Sequence, residues 1–150
     1  MNKDSLARLE KERLEFLDWK GSISCEGNPK EKEQTWEIIM DGPDDSPYNG
    51  GKFKIEIIFP DKYPEKAPTF NFLTNICHIN IDSDTKYICL DSLHEEYKPE
   101  KSIVELLAQI FMLMTSPNEE SPFTKYKTKY FDDYEGYLAL AREMTREYAK

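Results

Sequence analysis

The chain has 150 residues, 39% of them hydrophobic and 33% charged, and its formal net charge is −9 at pH 7. A chain of this length is expected to form one domain, spanning residues 1–150, with a core that needs no disulfides. The acidic balance and the lack of a Lys/Arg block argue against nucleic acid as a partner, because phosphate binding needs a basic face.

The cysteines and the apolar pattern indicate the compartment. Cys25, Cys77 and Cys89 are too few, and odd in number, for a disulfide framework, which favours a reducing environment. The N-terminus runs directly into charged residues, and no apolar run approaches the length of a membrane span. We therefore expect a cytoplasmic or nuclear protein, monomeric and without a membrane partner. The Cys and His residues lack paired ligand spacing, so no metal site is expected.

The first predicted element is a helix over residues 4–19, capped by Asp4 or Ser5 and ended by Gly21. Its charged residues indicate a solvated outer face. Its apolar residues share an arc of about 100° at helical spacing: Leu6, Leu9, Phe16 and Leu17.

Four strands are predicted next, over residues 22–25, 35–40, 52–59 and 70–72. The stretch 41–51 is rich in Gly, Pro, Asp and Asn, and therefore predicts a turn. Short connections between consecutive strands imply an antiparallel meander.

Residues 73–98 show no clear periodicity, and a loop that long inside a compact domain is usually functional. After Pro99 an apolar pattern predicts a largely buried helix that stops at Pro117-Asn118. A last helix is predicted to begin near Asp132, which can cap it. Helix, four strands, loop and further helices together predict an α+β fold.

Five sequence motifs occur in an order and spacing that is similar to one known family. They are 42–53 (GPDDSPYNGGKF), 59–64 with Pro68, 78–81 (HINI), 88–91 (ICLD) with Leu93, and the pair 117–118 and 121–122. Over essentially its whole length the chain resembles a ubiquitin-conjugating enzyme. The resemblance implies that family's fold, with an N-terminal helix, a four-stranded meander sheet, a central helix and C-terminal helices.

The resemblance also implies a chemistry. Cys89 would accept the C-terminus of ubiquitin, or of a ubiquitin-like protein, as a thioester, and a lysine amine would then attack it. Asn80 would stabilise the oxyanion or hold the active-site loop, and Ser121 would orient the incoming amine. His78, Asp91 and Tyr97 would support the site. No cofactor is implied, because the activating enzyme is the one that uses ATP.

Family partners are an activating enzyme, a RING or other ubiquitin ligase and a protein substrate. The resemblance places their docking surface on five residues: Arg8, Lys11, Glu65, Pro99 and Glu100. Glu65 stands where many family members present an aromatic residue. Ile79 replaces the family's proline, and residues 82–87 lack glycine and are one residue longer than usual, so the local geometry near Cys89 is expected to differ.

Three other functions compete with this interpretation. The modifier could be of the NEDD type instead of ubiquitin. Cys89 could serve a cysteine hydrolase with His78 or His94 as its base, although no glycine-rich oxyanion loop adjoins it. A non-catalytic ubiquitin-binding variant of the same fold would lack the cysteine. Cys25 and Cys77 lie in strand-like segments and are predicted to belong to the core.

Overall fold

Four strands form one antiparallel sheet whose spatial order, β1-β2-β3-β4, follows the chain. The computed structural model describes residues 1–20 and 24–150. The strands are β1 (Cys25–Glu26), β2 (Thr35–Asp41), β3 (Lys52–Ile58) and β4 (Thr69–Phe72), and the helices are α1 (Lys3–Trp19), α2 (Ile103–Thr115), α3 (Thr124–Asp132) and α4 (Tyr134–Tyr148). The predicted α+β fold with a four-stranded meander is confirmed.

The core covers one face of this sheet, as the alternating pattern of β2 and β3 predicts. Trp36, Ile38 and Met40 of β2 are fully buried, and Ile38 pairs with Ile55 of β3. Between them, Glu37 is exposed and Ile39 is half-buried on the outer face. Of the predicted strand 22–25, positions 22–23 and the preceding Gly21 lie outside the described residues, and β1 begins at Cys25.

The turn between β2 and β3 needs glycine for two physical reasons. Gly50 has φ +85°, which residues with a Cβ rarely adopt. A Cβ on Gly42 would collide with the carbonyl oxygen of Tyr48. The ring of Tyr48, in this turn, is buried in the interior. Its hydroxyl donates to the carbonyl oxygen of Cys77 at 2.6 Å.

Helix α1 begins at Lys3, one residue before the predicted start, and its N-cap is neither Asp4 nor Ser5. Asn2 has extended backbone angles, and its side-chain oxygen accepts from the backbone N–H of Ser5 at 2.8 Å. Asp4 lies in the first turn, where its negative charge interacts favourably with the positive end of the helix dipole. Of the predicted apolar arc, Leu9 and Phe16 are buried.

Helix α2 crosses the core and is capped by Ser102, which accepts from the N–H of Glu105. A second acceptor at this end comes from α1, because a carboxylate oxygen of buried Glu12 accepts from the N–H of Ile103 at 2.6 Å. Buried residues along α2 confirm the predicted burial: Ile103, Leu106, Leu107, Ile110, Leu113 and Met114.

The C-terminal region contains two helices where only one had a clear sequence pattern. Asp132, the predicted cap, is the last residue of α3. Asp133 has non-helical backbone angles and caps α4 by accepting from the N–H of Gly136 at 3.1 Å. None of the helices in residues 1–20 and 24–150 is long and apolar enough to cross a bilayer.

Candidate active site

Cys89 lies at the end of a short extended stretch, just before a 3-10 helix at Asp91–Leu93. It is half-buried, whereas Cys25 and Cys77 are buried. Burial raises the pKa of both buried thiols to about 12. The pKa of Cys89 is also raised, by partial burial and then by the negative charge of Asp91. Of the three thiols, Cys89 is therefore the one that a large reactant can approach.

His78 is fully buried and holds two backbone groups. Its Nε2 lies 2.8 Å from the carbonyl oxygen of Leu113, at the end of α2, and Nδ1 accepts from the N–H of Asn80 at 3.0 Å. Because a carbonyl can only accept, Nε2 carries the hydrogen. Burial lowers the pKa of His78 to about 4, so the ring is neutral near pH 7. Both of its ring nitrogens are already in hydrogen bonds.

Asn80 is also fully buried, and its side chain joins the active-site segment to the loop after α2. Its Nδ2 donates to the carbonyl oxygens of Asn118 and Ser121 at 2.9 and 3.2 Å. Its Oδ1 accepts from the N–H of Asn118 at 2.8 Å. Its backbone carbonyl accepts from the N–H of Cys89 at 2.8 Å. Both amide hydrogens are thus committed to holding the loop.

Ile79, at the position where the resemblance implies a proline, brings a buried N–H into the site. That N–H donates to the hydroxyl of Tyr137 on α4 at 3.2 Å. The carbonyl of Ile79 accepts from the N–H of Phe123 at 2.7 Å. A proline has no N–H and could not make the bond that joins Ile79 to Tyr137.

Ser121 lies on the exposed loop that Asn80 holds, and its side chain faces solvent. On the other side of Cys89, Asp91 is exposed, and its backbone carbonyl accepts from the N–H groups of His94 and Glu96. The half-buried Tyr97 donates its hydroxyl to the carbonyl oxygen of Pro64 at 2.6 Å. This bond ties the segment after Cys89 to the loop that carries Glu65.

Of the five residues predicted to bind partners, Arg8 is held by contacts within the protein and the other four are exposed. Arg8 pairs with Glu12 at 3.2 Å, donates to the carbonyl of Lys101 at 3.1 Å and lies 5.6 Å from the ring centre of Tyr63. The exposed residues are Lys11, Glu65, Pro99 and Glu100. Arg8 therefore braces α1 against the base of α2, and the four exposed residues are the ones available for docking.

The contacts of the two histidines bear on the cysteine-hydrolase alternative. Both nitrogens of His78 are bonded to backbone groups. His94 is exposed, and its Nε2 lies 2.8 Å from the hydroxyl of Tyr87 and 3.4 Å from the carbonyl of Ile88. A general base must reach the proton that it abstracts, which here is that of the Cys89 thiol. Both nitrogens of His78 and Nε2 of His94 instead contact backbone groups or the Tyr87 hydroxyl. Within residues 1–20 and 24–150, no Cys, His, Asp and Glu side chains cluster as a metal site.

The chain matches known proteins in both sequence and fold. The family model described as ubiquitin-conjugating enzyme matches residues 8–145. The chain belongs to the ubiquitin-conjugating enzyme family. Its structure is similar to that of a ubiquitin-conjugating enzyme E2 domain from Toxoplasma gondii, with a TM-score of 0.84 and 28% sequence identity, over 95% of this chain and 100% of that one.

Three residues that support the site were not predicted from the sequence as part of it. Tyr137 supports Ile79, Glu12 caps α2, and Tyr87 contacts His94 beside Cys89. Tyr137 lies 58 residues from its partner and Glu12 lies 91 residues from its partner. Tyr87 is close in sequence to His94, and an aromatic residue two positions before the cysteine was the available clue.

We expect Tyr137→Phe to destabilise the protein by about 1–3 kcal/mol, because the buried N–H of Ile79 loses its acceptor. Urea unfolding would measure this as a lower midpoint with an unchanged m-value. The informative comparison is a double-mutant cycle with Ile79→Pro, which removes the donor.

In the Ile79→Pro background, Tyr137→Phe should cost clearly less than it does in the wild type. Equal costs in both backgrounds would show that this hydrogen bond does not stabilise the protein.

We also expect Asp91→Asn to shift the ionisation of Cys89 to lower pH. Asp91's negative charge disfavours the thiolate, so its removal lowers the thiol pKa and increases the thiolate fraction at a given pH. The rate of iodoacetamide alkylation at Cys89, followed by peptide mass spectrometry across pH, measures this. Glu95→Gln, a nearby exposed charge, is the matched control, and superimposable curves for Asp91→Asn and wild type would contradict the prediction.

Proposed function

We propose that this protein accepts ubiquitin as a thioester on Cys89 from an activating enzyme and transfers it to a lysine of a protein substrate, usually with a ligase. The observation that carries the proposal is the position of Cys89. Cys89 is half-buried, whereas the other two cysteines are buried. Its backbone N–H donates to the backbone carbonyl of Asn80. Family membership supplies the class of reaction.

The first step is thioester exchange. The Cys89 thiolate attacks the carbonyl carbon of the activating enzyme's thioester, a new C–S bond forms, and the activating enzyme's thiolate leaves. The bond formed and the bond broken are alike, so the exchange needs little driving force. Since the pKa of Cys89 is raised, its proton must pass to solvent before attack, and charging should become faster as pH rises.

The second step is attack by a lysine amine. Ser121 lies exposed on the loop beside the site, where it can orient the amine and partly exclude water from it. ATP is used by the activating enzyme, so this chain needs no cofactor of its own. A NEDD-type modifier is the second candidate cargo, and the charging experiment discriminates between the two.

In that experiment the protein is incubated with ATP, one activating enzyme at a time and its cognate modifier. We expect a reductant-sensitive adduct with ubiquitin and its activating enzyme. Cys89→Ala should abolish the adduct, and Cys89→Ser should give a reductant-resistant ester, because an oxyester is less reactive than a thioester.

Cys25→Ala and Cys77→Ala are the matched controls and should still charge, since both thiols are buried. An adduct that persists in Cys89→Ala but is lost in Cys77→Ala would overturn the assignment. Charging with the NEDD-type modifier alone would identify that modifier, and not ubiquitin, as the cargo. Charging with no modifier at all would contradict the proposed function.

The ligase surface leads to a separate prediction. Glu65 is exposed on the surface where the family docks its ligases, next to the Pro64 carbonyl that Tyr97 holds. A RING ligase with an apolar groove would have to desolvate this carboxylate without a partner, at a cost of about 1–3 kcal/mol. A cognate ligase is therefore expected to offer Lys or Arg at that place.

Glu65→Phe should increase lysine discharge with generic RING ligases and leave charging little changed. Discharge rates with a panel of ligases at two salt concentrations measure this, with Glu143→Phe on α4 as the matched surface control. If the wild type already responds strongly to every ligase and Glu65→Phe adds nothing, the docking surface is not altered in the way proposed.

A further inference from the structure

Tyr87 lies two residues before the candidate nucleophile in the chain, and neither the family motifs nor the proposed function assigns its hydroxyl a role. Residues 87–89 are extended, and their burial alternates from exposed Tyr87 to buried Ile88 to half-buried Cys89. Side chains two residues apart in an extended segment point to the same side. Tyr87 and Cys89 therefore project together, away from the core that Ile88 enters.

The Tyr87 ring is held in place although it is 42% exposed. It stacks on the His94 ring with centroids 5.1 Å apart and an interplanar angle of 19°. It also meets the edge of Phe123, on the loop that carries Ser121, at 5.8 Å and 82°. Two neighbours on different segments thus fix the direction of its hydroxyl.

The hydrogen bonds of His94 determine which way the phenol hydrogen can point. Nε2 of His94 lies 2.8 Å from the Tyr87 hydroxyl and 3.4 Å from the carbonyl oxygen of Ile88. A carbonyl oxygen only accepts, so the contact with Ile88 is a hydrogen bond only in the tautomer that carries its hydrogen on Nε2, whereas the other tautomer accepts the Tyr87 O–H. In the tautomer with its hydrogen on Nε2, His94 needs no hydrogen from Tyr87, and the Tyr87 O–H is available to donate to a third group.

The site needs such a donor. Attack on a thioester develops negative charge on the carbonyl oxygen, which is two bonds from Sγ of Cys89. The amide of Asn80 has both hydrogens committed to Asn118 and Ser121. To donate to the oxyanion it would have to release one of the bonds that hold this loop.

We propose that the Tyr87 hydroxyl donates a hydrogen bond to the oxyanion of the thioester on Cys89, and that His94 is a positioning residue that orients it. This inference rests on the proposed function. The pKa of Tyr87 is raised, by partial burial and then by the charge of the Cys89 thiolate, so the phenol keeps its proton near pH 7.

The step balances without another reactant. The amine nitrogen forms a bond to the carbonyl carbon, and the C=O electron pair moves onto oxygen, where the Tyr87 O–H binds it. The pair then returns, the C–S bond breaks, and its electrons leave on Sγ as a thiolate. The proton lost by the amine reaches that thiolate through solvent, so the products are an amide and the Cys89 thiol.

The test compares discharge rates of the preformed thioester. Each variant is charged to its endpoint, the activating enzyme is stopped by removing ATP, and loss of the adduct is followed against free lysine concentration. Tyr87→Phe keeps the ring and its stacking but removes the hydroxyl. We expect about a tenfold lower rate at saturating lysine, less than the 10²–10³ seen for buried donors because Tyr87 is partly exposed. The lysine concentration giving half the maximal rate should not change.

His94 variants separate positioning from simple packing. His94→Leu should slow discharge by less than Tyr87→Phe does. His94→Gln, whose amide N–H can replace the Nε2–H, should restore most of the rate. Combined with Tyr87→Phe, His94→Leu should add little, because His94 acts through the missing hydroxyl. Tyr148→Phe, another half-exposed tyrosine, on α4, is the matched control and should discharge as the wild type does.

Wild-type discharge by Tyr87→Phe would overturn the inference, and so would additive losses in the double variant. An adduct that never forms on the wild type is a different result, because it contradicts the proposed function. A thermal melt of each variant identifies a loss that comes from unfolding, and a Tyr87→Phe variant that discharges slowly only because it unfolds would also count against a donor role.

Discussion

A buried backbone segment, residues 77–80, is the constraint on which the rest of the site depends. It lies outside the four-stranded sheet, so its polar groups need partners from elsewhere, because a buried unpaired N–H or C=O is costly. Its partners come from the turn after β2, from α2, from the loop that follows α2 and from α4: Tyr48, Leu113, Asn118, Ser121, Phe123 and Tyr137. Cys89 is bonded to Asn80, the last residue of this segment. The position of the nucleophile is therefore set by elements spread over most of the chain.

The fold could be predicted where one local pattern dominated. Alternation in β2 and β3 and the apolar stripe of α2 reflect a single buried face, and the structure matches both. Helix α3 lacked such a pattern, since Tyr130 is its one buried residue among the described ones and lysines recur along it. Helix starts were misplaced by one residue at α1 and by two at α4. Several Asp, Asn and Ser side chains near each start could cap it, and backbone angles decide among them.

The motifs located the candidate site but did not reveal how it is held together. Cys89, Asn80 and His78 stand together because the segments 78–81 and 88–91 are joined by backbone hydrogen bonds. The contact between Ile79 and Tyr137 depends on how α4 packs, which a sequence pattern does not encode. Arg8 illustrates the same limit, because a long basic side chain on a helix reads as solvated until its carboxylate and carbonyl partners are known.

Helix α2 links the two halves of this molecule through its ends. At its start, Glu12 of α1 binds the N–H of Ile103, and Arg8 holds both Glu12 and the carbonyl of Lys101. Near its end, His78 binds the carbonyl of Leu113, about 15 Å further along the axis at 1.5 Å per residue. Terminal N–H and C=O groups of a helix have no intrahelical partner, so each end is a natural point of attachment. The face with exposed Lys11 and the segment that fixes Cys89 are thus supported by one rigid element, and neither can shift without breaking a buried hydrogen bond.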